Sequence, residues 1–376
     1  MNRMQLHHIA WSKFVGSRAA LDLADSSIVP PDLAALGLPH AAALPAGGLA
    51  AIHELGRALG ARLGAPAGRV LVTAGASEAN AVVFGALLDP GDEVLVEQPS
   101  YEPHVEVPKL FGATVRRFSR SPATGFGGWL GSVEEGLRPS TRLVVLSDLH
   151  NPTGAALDTR ELDGLGRLAE SRGFQVLVDE TFRDASRAPL ATASARGARW
   201  VTTSSLTKCY GLGGLRIGWV AARDDVLERC AAVQDGLSVQ PSHLSAALAL
   251  ALVPHLGALR ARTHRILERN HATWRAFLER VARSLERAGI VFDPGIAPGG
   301  TTAWCTFERN GLGDLFAKIA LEQHGTSVTP GRFFGDPRGF RTGVGVDSEQ
   351  LEAGLERLER AAATLVSTLA SAGAPA

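Results

Sequence analysis

From Gly68 onward, short apolar runs alternate with longer stretches of mixed character. Runs rich in Val, Leu and Ile fall near residues 70–73, 94–97, 143–147, 176–179, 201–203 and 217–221. Segments long enough for helices lie between them, at 77–88, 102–111 and 158–172. Strands alternating with such helices predict an α/β protein with a mostly parallel sheet. The run 217–221 follows 201–203 too closely for a crossover helix, so it is expected to pair antiparallel at an edge. Asp89-Pro90-Gly91-Asp92 closes one helix as a turn, and Arg172-Gly173 ends another.

After about residue 224 the pattern turns helical. The stretch 243–290 is rich in Ala, Leu, Arg and Glu, with breaks near Pro254 and Gly289, and suits a long connecting helix. Beyond it, candidate strands near 302–307 and 340–344 and helices at 312–323 and 348–370 read as a smaller α+β domain. Residues 1–45 are punctuated by Pro30, Pro31, Pro39 and Pro45. They form either an arm lying across another domain or subunit, or a poorly ordered one. The expected division is an arm over 1–45 partly joined to the small domain, a large domain over 46–285 and a small one over 286–376. The Ala-rich tail after Ser371 is expected to fray.

Composition narrows the class. A chain of 376 residues suits two domains, and 45% apolar with 20% charged residues is ordinary for a soluble protein. Thirty-eight basic residues balance 38 acidic ones, so nothing draws the chain to nucleic acid or an anionic membrane. Arg116 and Arg117 read as a solvated surface pair. Cys209, Cys230 and Cys305 match no metal or disulfide spacing, which points to a reducing compartment. No signal peptide is visible and no apolar stretch approaches a membrane span, so a cytoplasmic location without metal is expected.

Four polar blocks fall at the expected carboxyl ends of strands, where open α/β sheets bind ligands. Thr73-Ala74-Gly75-Ala76-Ser77-Glu78-Ala79 joins a strand to a helix. Its small residues and helix N-terminus suit an anion such as a phosphate, although Ser77 could equally be a plain helix cap. Asn151-Pro152-Thr153-Gly154 is a good turn, or an amide poised over a bound ring. Asp179-Glu180 ends an apolar strand, where a carboxylate is costly unless paired. It could hold a heterocyclic nitrogen cationic, or serve as a salt bridge or cap. Ser204-Ser205-Leu206-Thr207-Lys208, followed by Gly211, Gly213, Gly214 and Arg216, places a lysine in a Gly-rich loop. Such a lysine can form a Schiff base with an aldehyde, and Arg216 could clamp a phosphate. A surface loop is the bland alternative.

In this order and register the four blocks resemble the fold-type-I pyridoxal 5′-phosphate (PLP) enzymes, and within them the class I/II aminotransferases. The likeness covers most of residues 20–365, and its most specific block runs from Ser205 to Trp219. It implies a mostly parallel seven-stranded sheet flanked by helices, and a homodimer with sites at the subunit interface. Lys208 would carry the cofactor and shuttle the proton at the substrate Cα. Asp179 would bind the ring nitrogen. Asn151 would bind the ring 3-oxygen. Tyr101, in Pro99-Ser100-Tyr101-Glu102-Pro103, would stack on the ring. Gly75, Ala76, Ser77, Ser205 and Arg216 would hold the phosphate. Arg341, in Gly339-Phe340-Arg341-Thr342-Gly343, would grip the substrate α-carboxylate, after a family-like segment Pro330–Phe334.

Two departures bear on the reaction. Where the family has Asp-Glu-x-Tyr, this chain reads Asp179-Glu180-Thr181-Phe182, so a second hydrogen bond to the ring oxygen is missing unless water or a side chain such as Tyr210 supplies it. Where many relatives carry a Tyr-Pro motif, the chain has Leu44-Pro45-Ala46-Gly47-Gly48. The resemblance implies transamination between an L-amino acid and a 2-oxo acid. A lyase, decarboxylase or oxidase on the same scaffold is the alternative, and a non-catalytic PLP-binding module the weaker one. Arg341 points to an amino acid rather than a simple amine. No second arginine dedicated to a dicarboxylate is identified. Trp11, His104, Trp304 and Phe333 either shape the pocket or pack the core.

Overall fold

The computed structural model describes residues 4–36, 49–187 and 192–371. The Leu44–Gly48 motif lies outside the described residues.

Chain order begins with a two-residue strand, β1 (Leu21–Asp22), in the N-terminal arm. The large sheet comprises β2 (Leu71–Thr73), β3 (Glu93–Gln98), β4 (Thr114–Ser119), β5 (Thr141–Ser147), β6 (Gln175–Asp179), β7 (Trp200–Ser205) and β8 (Gly218–Ala221). Its seven strands run in the order β2-β8-β7-β6-β5-β3-β4. The five from β7 to β4 are parallel, while β8 is antiparallel to both β7 and β2. Buried strands alternate their side chains between two helical layers. Val94, Val96, Leu143 and Val145 face helices Ala76–Leu87 and Asp224–Leu237. Leu95, Val144, Leu146 and Val178 face helix Thr159–Arg172.

Three details depart from the sequence pattern. Strand β8 is antiparallel as expected but interior, because β2 forms the edge beyond it. Strand β4 gave no apolar run: of its six residues only Phe118 is buried, as suits a half-solvated edge. On it Arg117 is exposed, but Arg116 is half-buried and donates to Gly136 O at 2.7 Å. The helix at 102–111 is α-helical over Glu102–Glu106 and then tightens to a 3₁₀ turn, Val107–Phe111, where Pro108 has no N–H to give.

The helical stretch after the sheet breaks at Pro254, into His243–Leu252 and Leu256–Arg287 joined by a 3₁₀ turn. By length and composition alone this run is apolar enough to cross a membrane, with an 18-residue window of mean hydropathy 1.5. That corrects the expectation that no stretch approaches span length. Here its first half packs on helix Leu49–Leu63.

The smaller sheet is antiparallel and consists of β9 (Phe292–Asp293), β10 (Thr302–Phe307), β12 (Thr329–Pro330) and β13 (Gly339–Gly343), ordered β12-β13-β10-β9. Helices Leu312–His324 and Ser348–Ser371 flank it. Strand β11 (Thr326–Ser327) pairs in parallel with β1, which fastens the arm to this unit. The arm then crosses to the large sheet: Gly343 N donates to Leu23 O, Val29 N to Gly345 O and Ile28 N to Lys208 O. Of the two readings of the arm, residues 21–29 take the one in which it lies across another part of the chain.

Candidate active site

The carboxyl ends of β5, β6 and β7 open onto a cavity of about 210 Å³, roofed by the arm and closed by β13. Asn151, Asp179, Tyr101, Ala76, Ser77 and Phe182 line it, with Ser205, Lys208, Arg216 and Arg341. One cavity therefore gathers the residues that the family resemblance assigned to cofactor and α-carboxylate, except Gly75, which sits just behind it.

Asp179 is the last residue of β6 and is buried. Its Oδ2 accepts from Asn80 Nδ2 at 2.9 Å and faces His104 Nε2 at 3.1 Å, while Oδ1 accepts from Thr181 N at 3.0 Å. Burial pushes its pKa up, but His104 and the hydrogen bonds outweigh that and hold it below the usual carboxylate value. The carboxylate stays ionised and keeps lone pairs for a cationic ring nitrogen. Asn80 is oriented from behind, because Thr203 Oγ1 donates to its Oδ1 at 2.6 Å.

Lys208 stands in the loop after β7. Its Nζ lies 3.2 Å from Ser27 Oγ and 3.8 Å from Asp25 Oδ1, both on the arm. Burial lowers its pKa, helped by Arg341 and Arg216 and opposed by Asp25. Eight residues on, Arg216 takes a left-handed backbone conformation (φ 51°) that turns its guanidinium back over Gly75. There Nη2 donates to Ala74 O at 3.4 Å. A Cβ on Gly75, itself at φ 91°, would sit 2.5 Å from that nitrogen. A Cβ on Gly218 would sit 2.4 Å from Gly75 C. The two glycines thus bring a guanidinium and the first-turn amides of helix Ala76–Leu87 to one point, as an anion such as a phosphate requires.

Arg341, in the middle of β13, is 3% exposed. Nη1 donates to Asn151 Oδ1 at 2.9 Å, and Nη2 to Ala24 O at 2.9 Å and Thr329 Oγ1 at 3.2 Å. Its Nε is buried with no protein partner. Among the described residues no carboxylate lies within ion-pair distance of it. Burial lowers its pKa to about 10, with Asp25, Tyr101 and Asp22 pulling the other way. A buried guanidinium left in this state is a receptor for an external carboxylate.

A family model described as aminotransferase class I and II matches residues 47–358. The chain belongs to that family. It is 34% identical over 307 residues to capreomycidine synthase of Streptomyces vinaceus, across 81% of this chain and 77% of that one. Among solved structures, a PLP-dependent aminotransferase from Streptococcus suis superposes with a TM-score of 0.86 at 24% identity, covering 97% of this chain and 99% of the other. The PLP-dependent cyclase OrfR gives 0.81 at 26% identity, covering 96% and 98%. The chain is a fold-type-I enzyme with the seven-stranded sheet and smaller domain of that class.

The residues present fit PLP. Asp179 suits the ring nitrogen, the Gly75–Ser77 turn with Arg216 suits the phosphate, and Lys208 lines the same cavity. Because Arg341 occupies Asn151 Oδ1, the Asn151 amide nitrogen is the atom left to donate to the ring oxygen. Tyr101 lies edge-on to His104, ring centroids 5.4 Å apart, and burial with Asp179 nearby pushes its hydroxyl up to about 12. Ser205 Oγ accepts from Thr207 N at 3.3 Å.

Phe182 is buried on the cavity wall and offers no hydroxyl. Tyr210 does not replace the missing donor, because its hydroxyl is taken by Asp184 and does not line the cavity. Thr181 does line it, with its Oγ1 buried beside Asp179. Trp304 packs on Phe334 and against Gly339, in the core. Trp11 and Phe333 pack together outside the cavity, beside His8.

Sequence reading missed Asn80, Asp25 and Ser27, and gave His104 no role on Asp179. Asn80 had a signal, being a polar residue within the apolar helix row Ala79–Phe84. The arm residues had none, lying in an irregular segment whose placement depends on β11 and β13.

Proposed function

We propose that this PLP-dependent enzyme is an aminotransferase, exchanging an amino group between an L-amino acid and a 2-oxo acid as a homodimer. The observation that carries the reading is Arg341, buried, without a carboxylate partner, in the same cavity as Lys208. An amino acid and a 2-oxo acid share the α-carboxylate, so one guanidinium serves both half-reactions.

When bound, PLP supplies an electron sink for the pair left at the substrate Cα. The protein does the rest. Lys208 would hold the cofactor through its amine and, with that amine free, would take the proton from the substrate Cα. Its lowered pKa favours the neutral amine that both tasks need. Asp179 would keep a proton on the ring nitrogen, Asn151 would donate to the ring oxygen, and Arg341 would hold the substrate by its carboxylate in the cavity that Lys208 lines.

Elimination or cyclisation is the second reading. The similarity to a capreomycidine synthase and to a PLP-dependent cyclase favours it, beside the departure at Phe182 from the aminotransferase pattern. The two readings separate when the purified protein with PLP is given a panel of amino acids. A pyridoxamine spectrum reversed by a 2-oxo acid supports transamination. Ammonia and a 2-oxo acid formed from one substrate, with no acceptor, supports elimination. A visible cofactor band that survives in Lys208→Ala would sink both.

A further inference from the structure

Charge accounting in the cavity leaves one group unassigned. Five charged side chains line it: Asp25, Asp179, Lys208, Arg216 and Arg341. On the function proposed above, which this inference rests on, four have work to do. Asp179 takes the ring nitrogen, Arg216 the phosphate, Lys208 the cofactor carbon and Arg341 the α-carboxylate. Asp25 remains.

Its position is built rather than incidental. The arm residues Leu23 and Ala24 are bonded to Gly343 N and Arg341 Nη2, which fixes the backbone just before it. Ser27 N donates to Asp25 Oδ1 at 2.9 Å and holds the carboxylate toward Lys208, 3.8 Å away. That ammonium is its ion-pair partner here. With Lys208 acting as the neutral amine proposed above, the carboxylate lacks a full positive neighbour while it still lines the substrate space. His8, which also lines the cavity, offers no replacement, since burial lowers its pKa to about 3 and keeps it neutral.

We propose that Asp25 is a specificity-determining residue that receives a cationic side chain, so that the amino-acid substrate is a basic one with a guanidinium or ammonium group. The same carboxylate acts against acidic substrates. A second carboxylate on the substrate would meet Asp25 with every cation among the described lining residues already engaged.

The test pairs near-isosteric ligands that differ in charge. L-Arginine is compared with L-citrulline for cofactor spectral change and turnover. The unreactive 5-guanidinopentanoate is compared with 5-ureidopentanoate for binding by calorimetry, which needs no turnover. Wild type should prefer the guanidinium ligand of each pair, with L-glutamate poorest. The Asp25 side chain is half exposed, so Asp25→Asn should reduce both preferences by about 2- to 5-fold, the range for a solvent-screened ion pair. Asp25→Glu should keep the sign of the preference. Preferences unchanged in Asp25→Asn would overturn the assignment, and so would wild type binding the ureido acid as tightly as the guanidino acid. If no amino acid changes the cofactor spectrum, the proposed function fails. If neutral amino acids react as well as arginine, only the Asp25 assignment fails.

Discussion

Arg341 Nη1 donates to Asn151 Oδ1 at 2.9 Å, so the group suited to a substrate carboxylate and the group suited to the ring oxygen hold each other in place. Removing one should disturb the other. Asn151→Ala is expected to raise KM for the amino acid as well as lower kcat. A hydrogen bond to a charged group contributes about 1.5–3 kcal/mol, which corresponds to roughly 10- to 100-fold in kcat/KM. Steady-state kinetics check this, and an unchanged KM would show that Arg341 keeps its aim without Asn151.

Gly75 makes room for Arg216. In Gly75→Ala the new Cβ meets Nη2, and the backbone is held at a φ of 91° that L residues rarely adopt. The arginine end can swing away, so the space is recoverable, but the strain costs about 1–3 kcal/mol. Affinity for PLP, measured by fluorescence titration, should fall, as should affinity for inorganic phosphate in the apoprotein. Undiminished phosphate binding would place the anion elsewhere.

Asp179→Asn keeps size and shape but loses the ionised acceptor. Asn80 and the Thr181 amide then donate to a neutral group. PLP affinity is expected to drop by about 1.5–3 kcal/mol, a tenfold to hundredfold rise in Kd. Far-ultraviolet circular dichroism should stay unchanged, which separates this loss from unfolding.

Glu180, next along, points away from the cavity into a different environment. It accepts from Ala193 N at 2.7 Å and Thr192 Oγ1 at 2.9 Å, and burial raises its pKa to about 7 despite Arg183. An acid whose folded pKa is raised binds more protons folded than unfolded. Its contribution is therefore complete below pH 4.5 and is lost as pH climbs to about 7. The loss is on the order of 3 kcal/mol. Glu180→Gln cannot titrate there, so the melting temperature of wild type should fall relative to this variant across that window. A constant gap between the two would contradict it.

The strands that could be read from the sequence were those buried on both faces. The run from Leu143 to Leu146 marks itself, because both helical layers demand apolar side chains. Strand β4 was invisible for the opposite reason, since Arg116 and Arg117 sit on a sheet edge. The position of β8 could not be read because its pairing with β2 joins residues about 150 apart, and only the assembled sheet shows which strand is outermost. In the site, Lys208, Asp179, Asn151, Arg216 and Arg341 carried recognisable neighbours along the chain. Asp25 and Ser27 did not, because they reach Lys208 only through the path of the arm.

That path has a geometric consequence. The arm is stitched to the small unit by the β1–β11 pairing, by Gly343 on Leu23 O and by Arg341 on Ala24 O, immediately before Asp25. Asp25 and Arg341 are thus carried on one frame. Their separation is therefore set by the bonds between the arm and β13, and on the roles proposed above the pair would act as a ruler laid along the substrate from its α-carboxylate to its far end.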